Sequence, residues 1–374
     1  MGRILNKIND LVHPIMLRYL DASYVRKNKH VRRLHPELYV RSNALDVKGH
    51  VALWEKVKKG KVDPSWYVMH SNISGVPDIR YVPENVYFPY IEPVLNNLEM
   101  ASAVADKNLL QKYIDPRNCP VTILRYINGV FMNSEYNIIT VEQAKDLLRS
   151  NKEVVLKPAV DSSGGLGVEL RKNDVNPVTV EELLSHRGTS YIVQLKVNQH
   201  RQTAQFNSSS VNTCRVMTLR CPWDTKVVHL KTMLRIGRGD SFCDNMMRGG
   251  LCVGVDDSGR LGKYAFDYDG QRFSCLPGKD IVFEKTTLPF FPKMLEFALS
   301  VAKQIPYMNI LSFDLVVDES DNVICLEMNT AGQGITQLQY DGVPLFHKYT
   351  NDIIEYCIEH SDYNQYRHLR TFYW

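Results

Sequence analysis

No apolar run in this 374-residue chain approaches the ~20 residues that a membrane-spanning helix needs. The opening MGRILNKINDLVHPIMLRYL lacks a continuous apolar core and a small-residue cleavage site, so it does not read as a secretion signal. It starts Met-Gly, but Asn6 stands where an N-myristoylation signal has Ser or Thr. A cytoplasmic chain is expected. Cysteine is sparse: eight residues, at 119, 214, 221, 243, 252, 275, 325 and 357, with no CxxC pair. That excludes a disulfide framework and gives no Cys/His spacing for zinc; reduced, mostly buried thiols are expected. No internal repeat or low-complexity tract is present, and 44% hydrophobic with 23% charged residues is ordinary for a globular protein. The length allows two or three subdomains.

Acidic residues are scarce at one end. Residues 1–62 hold 14 Lys+Arg and 5 Asp+Glu, a net of +9, while the remainder holds 31 and 36, a net of −5. A basic segment on a mildly acidic body points to an anionic neighbour. No recognition motif accompanies it, so no nucleic-acid partner is expected. Within it, Ile4, Leu5, Ile8, Leu11, Val12, Ile15, Met16 and Leu20 have the spacing of an amphipathic helix, followed by Arg26, Lys27, Lys29, Arg32 and Arg33. Such a helix either docks on the protein's own core, the commoner case, or lies on an anionic membrane surface.

The proline-rich stretch 77–93 reads as an extended crossing, with a domain boundary after it. Helix follows over 95–113. Residues 121–132 alternate around Asn128-Gly129, a hairpin signal. Thr140 with Gln143 and Thr179 with Glu182 are helix-capping pairs. Strands are expected at 153–160 and 167–172, mainly strands over 190–275, a helix at 288–304, strands at 310–317 and 322–328, and a helix at 344–359. The class is α+β with antiparallel strands dominating the second half.

Three segments carry chemistry. In KPAVDSSGGLGVEL, Lys157 to Leu170, a strand ends in a lysine and small residues follow. Ser162, Ser163, Gly164, Gly165 and Gly167 let backbone approach a ligand closely, and Lys157 offers a charge suited to phosphate. The loop matches neither G-x-x-x-x-G-K-[ST] nor G-x-G-x-x-G. In LSFDLVVDESDNVICLEMNTAGQG, Leu311 to Gly334, a two-residue turn at Ser320-Asp321 would set Asp314 opposite Glu327, with Asn329 on the same face; a turn slipped by one residue would pair Asp314 with Asn329 and leave that face unchanged. These hard oxygen donors suit Mg²⁺ bridging phosphates. Glu327 lies in an apolar strand, where a carboxylate needs a partner. In NTCRVMTL and the downstream LRIGRGD and FCDNMMRGG, Arg215, Arg235 and Arg248 fall on or beside strands and offer a carboxylate clamp, a counter-charge for a transferring phosphoryl group, or a structural salt bridge.

In that order, these features resemble the ATP-grasp superfamily over residues 80–345. Lys107 in ADKNLLQKY resembles the early phosphate lysine, and Lys157 with Ser162 to Gly167 the second lysine and the grasp loop. YIVQLKV (191–197) resembles the hinge strand that contacts adenine, and Asp314, Glu327 and Asn329 the magnesium ligands. VNTCRVMTL, DNMMRGGL and FDLVV…LEMNT resemble the sugar-transfer-associated branch, whose members accompany surface-polysaccharide biosynthesis. One departure is that Ser312 stands where the ligase pattern has an arginine.

The resemblance implies an ATP-grasp fold, two α+β subdomains gripping ATP, behind a divergent basic N-terminal domain. Boundaries at 1–94, 95–190 and 191–374 are expected. ATP and Mg²⁺ are the implied cofactors. Lys107, Lys157, the Ser162–Gly167 loop, Gln194, Leu195 and Val197 would hold ATP. Lys157, Arg215 and Arg235 would be catalytic, Arg215 replacing the missing arginine. His200, Asn207, Asn212, Arg215, Asp244 and Asn245 would meet the acceptor. The implied reaction joins an amino acid and a sugar by an amide through an acyl phosphate, in capsule or O-antigen synthesis. A sugar kinase, or a non-catalytic nucleotide-binding partner of a glycosyltransferase complex, remains open, as does peripheral membrane contact through the basic end.

Overall fold

Among the described residues, twelve strands form two antiparallel sheets, and residues of both sheets line one cavity. The computed structural model describes residues 2–58, 60–160, 166–185 and 188–364, with side chains from residue 11 onward. The smaller sheet holds β1 (Thr122–Ile127), β2 (Val130–Met132), β3 (Glu153–Pro158), β4 (Glu169–Lys172) and β5 (Tyr191–Gln194), in the order β2-β1-β5-β3-β4. Asn128 and Gly129 join β1 to β2 with φ of 49° and 88°. Both are left-handed, the backbone that a two-residue hairpin needs and that Asn-Gly favours. Thr140 and Gln143 form the expected capping box on the helix Val141–Arg149. Glu182 N–H donates to Thr179 Oγ1 at 3.1 Å at the start of the helix Val180–Ser185. Leu148 and Leu183 pack with Leu124, Leu156 and Val193 on one face of the sheet.

β5 lies between β1 and β3 and bonds to both. A strand with partners on two edges belongs to that sheet, so the first unit runs past the expected boundary at 190 to the end of β5. Residues 1–94 likewise do not stand apart. Trp54, Trp66, Val86 and Tyr87 share one hydrophobic cluster with Met217, Leu219, Ile310 and Phe346.

The larger sheet holds β6 (Cys214–Arg220), β7 (Val227–Ile236), β8 (Leu251–Val255), β9 (Leu261–Phe266), β10 (Arg272–Phe273), β11 (Ile310–Val317) and β12 (Val323–Asn329), in the order β10-β9-β8-β7-β6-β11-β12. All eight residues of β11 are buried. It sits between β6 and β12, with the helix Phe291–Ala302 and the N-terminal segment contributing to the cores on its two faces. A strand covered on both faces reads as a continuous apolar run, which ILSFDLVV does apart from Ser312 and Asp314.

Three elements differ from the sequence pattern. Residues 84–95 are helical, with a π-turn at Tyr87–Ile91, rather than extended. Pro93 sits in the last segment, Glu92–Leu95, directly after the π-turn. The expected helix over 95–113 is broken into Leu98–Ala105 and Leu110–Tyr113, because the Asp106 carboxylate accepts the Asn108 N–H at 2.7 Å and turns the chain. The final helix starts at Thr350 rather than 344.

Candidate active site

The break after Ala105 puts Lys107 at the site. Its N–H donates to Ala159 O at 2.9 Å, so the turn is tied to the end of β3, and its Nζ donates to Glu327 Oε1 at 2.9 Å. Lys157, on β3, donates to Gln194 Oε1 of β5 at 3.0 Å. Removal from water, then the charge of Lys107, pushes the Lys157 ammonium down to about 8. Leu195, Lys196 and Val197 follow β5 and line the same cavity. Gly167 has φ of 72°, and a Cβ there would lie 2.8 Å from Pro158 Cγ, so both backbone and space require glycine. Ser162, Ser163, Gly164 and Gly165 lie outside the described residues.

The hairpin β11–β12 places the other half. Asp314 pairs with Glu327 and Ser312 with Asn329, so Asp314, Glu327 and Asn329 share one face, as expected. The turn is one residue longer than expected, with Val317 opposite Val323. An irregularity between Asp314 and Leu315 restores the register at the site.

On the adjacent strands, Arg215 pairs with Met233, which puts Arg235, two residues on, on the same face. Arg215 donates through Nε to Asp314 Oδ1 at 2.8 Å and through a second nitrogen to Oδ2 at 2.9 Å. Arg235 donates to Oδ2 at 2.7 Å and to Thr213 Oγ1 at 2.8 Å. Burial alone would raise the Asp314 carboxyl; the two guanidiniums overcome it and hold the group well below the usual carboxylate range. Burial raises Asp244, against the opposing charge of Arg235 and the bond from Thr213 Oγ1 at 2.5 Å.

Lys107, Lys157, Arg215, Arg235, Asp244, Asp314, Glu327 and Asn329 line a cavity of about 530 Å³, while Gln194 and Gly167 stand outside its lining. Six cations (Lys27, Lys107, Lys157, Lys196, Arg215, Arg235) and four carboxylates (Glu84, Asp244, Asp314, Glu327) face it among the described residues, a net of +2. Such an excess suits a polyphosphate. Asn329 Nδ2 is buried without a protein partner. A buried donor left unmet costs about 1–3 kcal/mol, and a phosphate oxygen would satisfy it.

Among the described residues no three His, Cys, Asp or Glu side chains are grouped to hold a metal alone. Asp314 accepts three arginine bonds, leaving part of its four-site capacity on Oδ1. Glu327, with one oxygen engaged by Lys107, and the Asn329 carbonyl complete a partial donor set. That fits Mg²⁺, which takes only one or two protein carboxylates and completes its shell with phosphate and water.

Several expected acceptor residues lie elsewhere. His200 caps the helix Arg201–Ala204, its Nδ1 accepting from Gln202 N–H at 3.2 Å, and packs edge-on against Phe290. Asn212 is spent on its own loop, donating to Thr203 O and Asn207 O at 3.0 and 2.7 Å. Asn207 donates to Gly239 O at 3.1 Å. None of the three lines the cavity; Asp244 and Asn245 do. Arg248 is exposed and lines no part of it.

Three features were missed. Lys27 and Glu84, 3.1 Å apart, bring the N-terminal segment into the lining, and Glu84 also accepts from Thr336 Oγ1 at 2.6 Å. Ser312 bonds Gln333, another lining residue. Glu92 is buried behind the loop 330–334, accepts Gly332 N–H at 3.1 Å, and is pushed up to about 7 by burial. The signal that exposed Glu327, a carboxylate inside an apolar run, was present in YFPYIEPVL as well.

The family described as sugar-transfer associated ATP-grasp matches residues 89–352. The chain belongs to that family. The match spans both sheets, the Lys107 turn and the Asp314–Asn329 hairpin, and it leaves out the N-terminal helix. No curated protein is similar in sequence. Among solved structures, the biotin carboxylase domain of Hydrogenobacter thermophilus 2-oxoglutarate carboxylase, with MgADP, ADP and bicarbonate, is similar at 15% identity and a TM-score of 0.40, over 71% of this chain and 46% of that one. Campylobacter jejuni biotin carboxylase gives 16%, 0.39, 70% and 46%. The ATP-grasp ligase PsnB with its minimal precursor gives 11%, 0.36, 70% and 63%. The family member described here thus spans about half the length of the two carboxylase chains and less than two thirds of PsnB.

Proposed function

We propose that this protein is an ATP-dependent ligase that activates a carboxylate as an acyl phosphate and passes it to an amine, joining an amino acid and a sugar in surface-polysaccharide synthesis. The observation that carries the reading is the arginine pair on Asp314, set beside Lys107 and Lys157 in a cavity with a cationic excess. Lys107 and Lys157 hold the nucleotide phosphates, and Leu195 to Val197 flank the base. Mg²⁺, with Glu327, Asn329 and Asp314 as its donors, would neutralise phosphate charge. Arg215 and Arg235 sit where negative charge grows on the transferring group, in a site already shaped before reaction.

A carboxylate acceptor suits this lining better than a hydroxyl. A hydroxyl needs a base, and each cavity carboxylate is tied to a cation: Asp314 to Arg215 and Arg235, Glu327 to Lys107, Glu84 to Lys27, and Asp244 to Arg235. A substrate carboxylate is already ionised and attacks the γ-phosphorus directly, with ADP leaving. The amine then displaces phosphate from the acyl carbon, and the departing phosphate takes its proton.

The test is hydroxylamine trapping with Mg·ATP and separate pools of uronic acids and amino acids, read by mass. A hydroxamate from one pool, with stoichiometric ADP, supports the ligase and names the carboxylate donor. A phosphorylated sugar without hydroxamate replaces the ligase with a kinase, and ATP binding with no product from either pool leaves a nucleotide-binding partner protein.

A further inference from the structure

We propose that the outer face of the N-terminal helix, Gly2–Leu34, is a docking surface for an anionic lipid bilayer. The second half of this helix is fixed to the body along one side. Asp21 accepts from Lys58 and Asn85, both at 2.7 Å; the Tyr24 ring stacks on Phe88 at 4.5 Å; and Asn28 donates to Ser65 at 2.7 Å. At ~100° per residue these positions, with Lys27, form one stripe. In the first half, Leu11, Ile15, Met16 and Tyr19 form another, which lies roughly on the opposite side. They are 71, 65, 37 and 63% exposed. The sequence pattern continues that stripe through Ile4, Leu5 and Ile8. The apolar stripe therefore faces away from the core, contrary to the commoner expectation for an amphipathic helix. A contiguous apolar surface with a polar border marks an interaction site.

Charge selects the occupant. Arg18, Arg26, Lys29, Arg32 and Arg33 are exposed along the same helix, and residues 22–34 contain no Asp or Glu. At ~100° per residue Lys29 and Arg33 extend the outer stripe itself, so that face runs from apolar to cationic. An interfacial helix needs this combination: apolar side chains enter the acyl boundary while cations meet anionic headgroups. A second copy of the chain would bring two cationic faces together and fits worse. Lys27, ~24 Å along the helix from Leu11 and on the side fixed to the body, lines the cavity.

The test is flotation of the full chain with phosphatidylcholine vesicles, with and without phosphatidylglycerol. The expected result is binding that requires phosphatidylglycerol and weakens with added salt. Leu11→Gln with Ile15→Gln, and separately Lys29→Glu with Arg33→Glu, should each lower it by about tenfold or more with Tm unchanged. Failure of the native chain to float with phosphatidylglycerol overturns the proposal, as does binding that neither pair of substitutions weakens. A dimer in sedimentation that Leu11→Gln with Ile15→Gln dissociates would give the stripe to a second copy instead. None of these outcomes depends on the reaction proposed above.

Discussion

Arg215 clasps Asp314 through both carboxylate oxygens, at 2.8 and 2.9 Å, while Arg235 reaches the same carboxylate at 2.7 Å from the neighbouring strand. Ser312 is buried and bonded to Gln333, so the guanidiniums beside Asp314 come from across the sheet rather than from β11; under the proposed ligase reading they would take the place of the arginine that the ligase pattern has at Ser312. Arg215→Ala should lower kcat by about 10²–10³, the usual effect of removing a group that stabilises transition-state charge. Arg215→Lys should recover little, because an ammonium lacks the fork that engages two oxygens. Arg248→Ala should change kcat by less than about twofold. Steady-state ADP release checks the order, and a larger loss for Arg248→Ala would assign the charge to the wrong arginine.

Glu327 and Lys107 form a second couple at 2.9 Å, with Lys107 buried and Glu327 partly open to the cavity. Glu327→Gln keeps the shape and removes the charge. ATP turnover should fall by more than ~100-fold, since the lysine's counter-charge and the charge of a proposed metal donor are lost. The fold should persist, because an amide still accepts a bond from Lys107. Thermal unfolding read beside ADP release tests both halves. Normal turnover in this variant would remove Glu327 from the site.

The parts of this site legible in the sequence are those set by local rules. Asn128-Gly129 marks its hairpin because few residues accept left-handed backbone, and the period of two puts Asp314, Glu327 and Asn329 on one face even though the turn is a residue longer than expected. The convergence of Arg215 and Arg235 follows as simply from strand pairing, but the register between β6 and β7 is a long-range property. Lys107 reads as helical because apolar spacing continues through it, while a single side-chain bond from Asp106 ends the helix. The N-terminal helix is ambiguous in principle, since the same moment serves a core or a membrane. Only the docked stripe of Asp21, Tyr24 and Asn28 shows that the apolar side chains of its first half do not face the body.

His200 illustrates the opposite error, a polar residue read as functional and found to be structural. It caps a helix, receives Gln202 N–H, and rests on Phe290 away from the cavity. His200→Ala should leave KM and kcat within about twofold while costing about 1 kcal/mol of stability through the lost cap. A large kinetic change at unaltered Tm would return His200 to the acceptor site.

Lys157 gives the site a pH dependence that its geometry predicts. Its ammonium is pushed down to about 8, first by removal from water and then by Lys107. In the free protein the charge is full well below pH 8 and is lost as pH rises through that value. A bound polyphosphate favours the charged form, so binding at pH 8.5 should draw a proton onto Lys157, and ATP affinity should fall above pH 8 by at most about tenfold per unit. Titration calorimetry in buffers of differing ionisation enthalpy measures that uptake directly. The expected result is net proton uptake at pH 8.5 that vanishes in Lys157→Met, whose stem fills the same space without titrating. Equal uptake in both proteins would move the titrating group away from Lys157, and affinity that stays flat from pH 7 to 10 would mean that this lysine does not meet the phosphates.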